Sequence, residues 1–213
     1  MLRDDVIELG EAAADDAAAL LAEAFADYPT TAWFVAPSPL GSREALGALM
    51  RFFVTARLLR DEPVLAARVG PTLAAVALVS FPQGGASPPA LATARETLWT
   101  TVGAAVRSRY EAYGRALQPL LAEAASLHVN LAGVRPTFRG RGCARRLFDR
   151  VHALAETMPG DRSVSLTTED PQNLRLYRHL GYEVAGHAEV APGITSWMMR
   201  RAPSSEFARP GDA

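Results

Sequence analysis

The sequence predicts an α/β domain, an α+β arrangement with a central mixed sheet, and three observations carry that reading. From residue 127 onward strands and helices alternate: LHVNLAGV, a helix from about 141 to 158, a strand over 163–168, and a helix over 171–179. Such alternation argues for parallel pairing in the middle of a sheet that helices cover. Two β-rich runs, 64–68 and 72–80, meet at Gly70-Pro71 and read as a hairpin, as do 182–190 and 195–200 across Ala-Pro-Gly. The helix predicted over 141–158 keeps Ala144, Leu147, Phe148, Val151, Leu154, Ala155 and Met158 on one face and Arg145, Arg146, Asp149, Arg150 and Glu156 on the other.

The remaining elements follow in order. Residues 6–9 suit a short strand and 15–26 an alanine-rich helix. Residues 27–31 read as a loop, which carries Tyr28 and leads to Trp33 and Phe34. Ser42 is placed to cap a second helix, in which Ala45, Leu46, Leu49, Phe52 and Phe53 recur near period 3.6. FPQGGASPP is the clearest loop, and helices over 91–107 and 109–125 follow it. One domain is expected over 1–201, with a frayed tail over 202–213.

Composition narrows the function classes. The 213 residues suffice for one large core without staples. The net charge of −1 gives no global pull toward nucleic acid or anionic membrane. All 22 basic residues are arginine. Cys143 is the one cysteine, so neither a disulfide framework nor a cysteine-based zinc site forms within one chain, and no metal is expected. The acidic start, MLRDDVIELGEAAADD, lacks a leader pattern, and no run reaches 18 apolar residues. The expected location is cytoplasmic, compatible with the lone thiol, and a homodimer is left open.

The stretch RGRGCA, residues 139–144, joins a strand to a helix. A helix start exposes unpaired N–H groups and partial positive charge, and glycines before it let backbone approach a ligand. Phosphate is the usual guest of such a joint. G-x-G-x-x-G is absent, and so is G-K-[ST], which excludes the dinucleotide fingerprint and the Walker loop. The pattern is [QR]-x-x-G-x-[GA], with Arg139, Gly142 and Ala144 in the fixed places. It resembles the pyrophosphate loop of the GNAT acyltransferases. A second stretch, DPQNLRLYRHLGY, resembles that family's N-x-x-x-x-Y-x-x-x-G-[FY] segment through Asn173, Tyr177, Gly181 and Tyr182. Asp170 is a good N-cap before Pro171, and Gly181 is placed to stop the helix. The resemblance covers about residues 127–200. AFADYP near the start and AEVAPGITSWMM near the end are similar to the puromycin N-acetyltransferase-like members.

The resemblance implies the GNAT fold: a mostly antiparallel sheet with one parallel, splayed pair and flanking helices. It implies acetyl-CoA as co-substrate, held by Val134, Arg139, Gly140, Arg141, Gly142, Cys143, Ala144 and Asn173, with the pantetheine arm added to the edge of the 127–134 strand. It implies direct acetyl transfer to a primary amine, expected to be that of a small molecule, with the Val134 N–H or a neighbour polarising the thioester and Tyr177 as general acid. His128 and Asn130 alternate on one strand face; His128 is a candidate base and Glu169 its rival. Tyr28, Trp33, Phe34 and Asn130 are the expected acceptor contacts. A protein N-terminus or lysine as acceptor, and a non-catalytic acyl-CoA sensor, remain open alternatives. Six arginines between 135 and 150 could track nucleic acid. However, no aromatics interleave them, and none is expected as a partner.

Overall fold

The computed structural model describes residues 6–82, 87–122 and 126–203. Part of the FPQGGASPP loop, and all of the tail beyond 203, therefore lie outside the described residues. Among the described residues seven strands form one sheet: β1 Val6–Glu8, β2 Val64–Val69, β3 Thr72–Ser80, β4 Leu127–Val134, β5 Val164–Thr168, β6 Glu183–Ala191 and β7 Ile194–Arg201. Their order is β1-β2-β3-β4-β5-β7-β6. Only β4 and β5 pair in parallel; the other neighbours are antiparallel.

Among the described residues seven α-helices cover the faces: α1 Ala14–Ala24, α2 Pro29–Val35, α3 Ser42–Leu58, α4 Pro89–Val102, α5 Ala104–Ala122, α6 Cys143–Glu156 and α7 Pro171–His179. One apolar core gathers Leu20, Leu21, Leu49, Met50, Val76, Leu78 and Trp99 under α1, α3 and α4. The other lies under α6, where Leu147, Phe148 and Val151 pack on Leu127, Val129, Val164 and Leu166. Burying such side chains on both faces is the main favourable contribution to the fold, roughly 1.5–3 kcal/mol each.

The centre of the sheet opens into a fork. β4 pairs with β5 only at Leu127–Val164, His128–Ser165 and Val129–Leu166. Beyond Val129, β4 continues on β3 alone, to the Val134–Ala75 pair. The register shifts between Leu78–Leu131 and Val79–Val129, so Asn130 is an extra residue, a β-bulge. The bulge reverses the alternation of faces. Leu127 and Val129 join the core under α6, whereas Leu131 packs into the core under α1 and α3. Gly133 follows on that same face, where a Cβ would lie 2.9 Å from Ala24 Cβ and 3.0 Å from Leu21 Cδ2. Only glycine lets α1 lie this close to the strand.

Local sequence explains most boundaries and corrects three expectations. The segment 27–31 is not all loop: Pro29 sits at the first helical position and α2 begins there. Tyr28 is its N-cap residue, and Trp33 and Phe34 lie on the helix. Ser42 does not cap α3; it is the first helical residue, and Gly41, with φ +82°, precedes it. The break between α4 and α5 falls at Gly103, φ +94°, rather than near residue 108.

Candidate active site

The α7 segment shows how local sequence fixes a side chain in place. Asp170 Oδ1 accepts the Gln172 N–H at 2.9 Å, capping the first turn. At the other end Gly181 takes φ +85°. Its N–H donates to Arg178 O at 3.0 Å, and the Tyr182 N–H donates to Tyr177 O at 3.0 Å. Those two bonds form a Schellman stop. Tyr182 is 1% exposed and its hydroxyl lies 3.0 Å from His152 Nε2 on α6. The Tyr177 ring meets Phe148 and Tyr182 edge-on, with centroids 5.6 and 5.9 Å away. Burial, then the nearby Glu169 and Asp170 charges, push the Tyr177 hydroxyl above the usual phenol range. It stays protonated across ordinary pH.

Tyr177 borders a cavity of about 1140 Å³ that runs through the fork. At one end lie Phe138, Arg139, Gly140, Gly142, Cys143, Ala144 and Arg145. Gly140 and Gly142 have φ of +74° and +76°, and a Cβ on either would meet nothing within 4 Å. Gly142 is the N-cap of α6 and carries no side-chain cap. The first turn closes with Arg146 N–H on Gly142 O at 3.1 Å. The N–H groups of Cys143, Ala144 and Arg145 therefore precede the helical ladder and face the same end. Cys143 itself is 1% exposed, and its sulfur accepts from Arg146 Nη2 at 3.3 Å. Arg141 lies over the Phe138 ring, 5.4 Å from its centroid, and is not among the lining residues.

Along β4, the Arg135 N–H donates to Ala74 O at 2.9 Å, toward β3. Backbone alternation then turns the Ala132 and Val134 N–H groups to the other edge, which β5 has left open. Leu131, Ala132, Gly133 and Val134 all line the cavity. Asn173 also lines it, and its Nδ2 donates to Thr168 Oγ1 at 3.2 Å.

Beyond Tyr177 the cavity widens toward α2, α3, α4 and α5. Glu169, one residue past β5, is 8% exposed. Its Oε2 accepts from Thr30 Oγ1 at 3.0 Å. Its Oε1 accepts from the Tyr113 hydroxyl at 3.0 Å and from Ser196 Oγ at 2.6 Å. The Tyr28 hydroxyl accepts the Glu169 N–H at 2.8 Å and lies 3.0 Å from Thr168 Oγ1. Burial first, then the Glu169 carboxylate, pushes the Tyr28 and Tyr113 hydroxyls above the usual phenol range.

The structure separates the two candidate bases. Glu169 lines the cavity and His128 does not. His128 Nδ1 sits 2.9 Å from Ser165 Oγ, which in turn accepts from Ser126 Oγ at 2.8 Å. Burial, and then the Arg57 charge, push the imidazole down to about 4. His128 is a neutral, hydrogen-bonded residue of the sheet. Asn130 lines the cavity and accepts from Arg57 Nη1 at 3.1 Å. Tyr28 and Phe34 line it too, but Trp33 does not: Arg109 stacks on its ring at 5.1 Å and donates to its carbonyl. Trp33 is half-buried against the core, its ring centroid 5.6 Å from that of Phe34, and lies outside the cavity lining.

Sequence reading missed Thr30, Tyr113 and Ser196 around Glu169, and Arg57, Arg60, Arg95 and Tyr110 farther along the wall. A signal existed in α5, where Arg107, Tyr110, Glu111, Tyr113 and Gly114 recur on one helical stripe.

Comparison with known proteins gives a consistent result. Residues 96–184 match the family model for the acetyltransferase (GNAT) domain. A Corynebacterium glutamicum structure of histone acetyltransferase HPA2 and related acetyltransferase aligns with a TM-score of 0.70 at 19% identity, over 94% of this chain and 97% of that one. Drosophila melanogaster polyamine N-acetyltransferase, which forms N-acetylagmatine, aligns at 0.59 and 16%, over 93% and 100%. The Salmonella typhimurium putative acetyltransferase yncA, solved with its cofactor acetyl-CoA, aligns at 0.54 and 13%, over 95% of each chain. At such identities the likeness shows the fold: a mostly antiparallel sheet with one parallel pair.

Proposed function

We propose that this chain, whose residues 96–184 match the acetyltransferase (GNAT) domain, moves an acetyl group from acetyl-CoA to the primary amine of a small molecule. The observation that carries the reading is the convergence of three parts on one cavity: the open glycine joint at 139–144, the β4 edge that β5 leaves beyond Val129, and the side chains of Tyr177 and Glu169. A diphosphate suits the joint, since its N–H groups and the start of α6 favour negative charge. An extended amide-bearing arm suits the Ala132 and Val134 N–H groups as an added strand.

The residues divide the chemistry between them. The amine attacks in its neutral form, and its nitrogen bonds to the thioester carbon. A β4 N–H, from Val134 or Ala132, stabilises the oxyanion. The carbon–sulfur bond then breaks, and the Tyr177 hydroxyl donates its hydrogen bond to the departing thiolate. A phenol is a weaker acid than a thiol, so the gain comes from the hydrogen bond more than from complete transfer. The proton lost by the amine passes to Glu169, whose carboxylate is held by Thr30, Tyr113 and Ser196. Tyr28 and Asn173 hold the β5–α7 joint that places both groups.

The test is release of free thiol from acetyl-CoA with a panel of primary amines. Amine-dependent thiol release with stoichiometric N-acetyl product supports the proposal. Tight binding of acetyl-CoA with no turnover on any amine or peptide would instead identify an acyl-CoA sensor.

A further inference from the structure

The wall beyond Glu169 is built in sequence from acid to aromatic to base. Tyr113, bonded to Glu169, meets Phe34 edge-on with centroids 5.1 Å apart. Phe34 meets Tyr110 at 5.7 Å, and Tyr110 touches Phe53 at 5.9 Å and Trp99 at 5.4 Å. Past Tyr110 the lining turns cationic, with Arg57 and Arg60 from α3 and its end and Arg95 from α4. Arg57, Arg60, Arg95 and Tyr110 all line the cavity; burial raises the Tyr110 hydroxyl above the usual phenol range, while the Arg95, Arg57 and Arg60 charges pull it back.

The acidic groups nearby leave part of this charge unbalanced. Glu62, its side chain 3% exposed, lies 2.9 Å from Arg57 Nη1. Glu96 and Glu111 face Arg107 at 3.7 and 2.8 Å. Arg60 donates only to the neutral Ser87 Oγ, at 3.0 Å, and its buried Nε has no hydrogen-bond partner among the described residues. Neither Arg60 nor Arg95 has an ion pair among the described residues. A cavity for an amine alone has no use for surplus cations, which repel an ammonium.

We propose that Arg60 and Arg95, beside Arg57 and the Tyr110 hydroxyl, form an anion subsite, so that the acceptor is an arylalkylamine carrying a carboxylate or phosphate on the ring, at the end remote from its amine. The amine meets Glu169, the ring lies among Phe34, Phe53 and Tyr110, and the anion meets the guanidiniums. This rests on the acetyl-transfer reading for its substrate but not for its binding site.

Two probes separate the claims: phenethylamine and 4-(2-aminoethyl)benzoate, which differ by one remote carboxylate. In the acetyl-CoA thiol-release assay, the carboxylated amine is expected to show at least about tenfold higher kcat/KM. In the Arg60→Gln/Arg95→Gln double variant that ratio is expected to fall to near 1. Calorimetric binding of 4-(2-aminoethyl)benzoate to the CoA-saturated protein provides a readout without turnover. Binding that the double variant loses, with neither amine acetylated, upholds the subsite, and the acetyl-transfer reading then falls if the wider amine and peptide panel also gives no turnover. A ratio near 1 in the wild type, or a preference unchanged in the double variant, overturns the subsite, as does absence of binding in the wild type.

Discussion

The Tyr28 hydroxyl accepts the Glu169 N–H at 2.8 Å, joining two residues 141 positions apart. One end of this bond begins α2, and the other ends β5 at the fork. It fixes the carboxylate that faces the cavity relative to the aromatic wall. Because Thr30, two residues along, also donates to that carboxylate, Tyr28 and α2 hold Glu169 at both backbone and side chain.

Glu169→Gln keeps the shape but removes the basic oxygen. The expected result is a fall in kcat of about 10²–10⁴, with KM for acetyl-CoA little changed, measured by steady-state thiol release. Tyr113→Phe removes one of the hydroxyl donors and is expected to lower kcat far less. Equal losses in the two variants would assign the role to the network's packing rather than to the carboxylate.

Tyr177→Phe tests the acid. Its ring keeps the contacts with Phe148 and Tyr182, so folding is expected to survive with a melting temperature within a few degrees. The expected loss in kcat is again about 10²–10³, because only the hydroxyl is gone. Unchanged turnover would remove Tyr177 from the chemistry.

Gly133→Val is a stability prediction. A Cβ there meets Ala24 Cβ at 2.9 Å, and Ala24 is set by a helix rather than a flexible side chain. Overpacking of this kind costs roughly 1–3 kcal/mol, which a urea unfolding midpoint reads directly. A neutral outcome would mean that α1 does not lie this close to β4.

Acid is expected to destabilise the protein above the carboxylate range. Burial is the largest cause that pushes His128 and His152 down to about 4, with Arg57 and Arg201 adding to it. The unfolded chain takes up these protons near pH 6.5 and the folded one near pH 4, so stability is full above about 6.5 and is lost as pH falls toward 4. His128 is the more enclosed of the two and contributes up to about 3 kcal/mol. Unfolding midpoints between pH 7 and 4.5 check this, and His128→Asn is expected to flatten the slope.

Much of this architecture was legible in the residues. Asp170, Pro171 and Gly181 mark both ends of α7, and in the structure Asp170 caps its start, Pro171 takes the first helical position and Gly181, φ +85°, stops it. Gly70-Pro71 marks the β2–β3 turn, and the RGRGCA joint opens α6. What local signals could not carry was the fork. A bulge at Asn130 depends on how β4 meets β3, and the partner of His128, Ser165, comes from the neighbouring β5 and is itself held by Ser126, the residue before β4. Glu169's three hydroxyl donors come from α2, α5 and β7, far apart in sequence. Trp33 and Phe34 are adjacent aromatics, and only the helix period of α2 decides which one faces the cavity.

The account turns on residues 139–144 receiving a diphosphate, and isothermal titration with acetyl-CoA tests that most directly. The wild-type protein is expected to bind with a Kd in the micromolar range, about −8 kcal/mol. Gly142→Ala, which forces a side chain into φ +76° at the start of α6, is expected to weaken binding about tenfold or more. The same change at Gly160, φ +80° and outside the cavity lining, is expected to leave the Kd unaltered. Folded wild-type protein that gives no heat with acetyl-CoA or free CoA, or a Gly142→Ala variant that binds as well as the wild type, would contradict it.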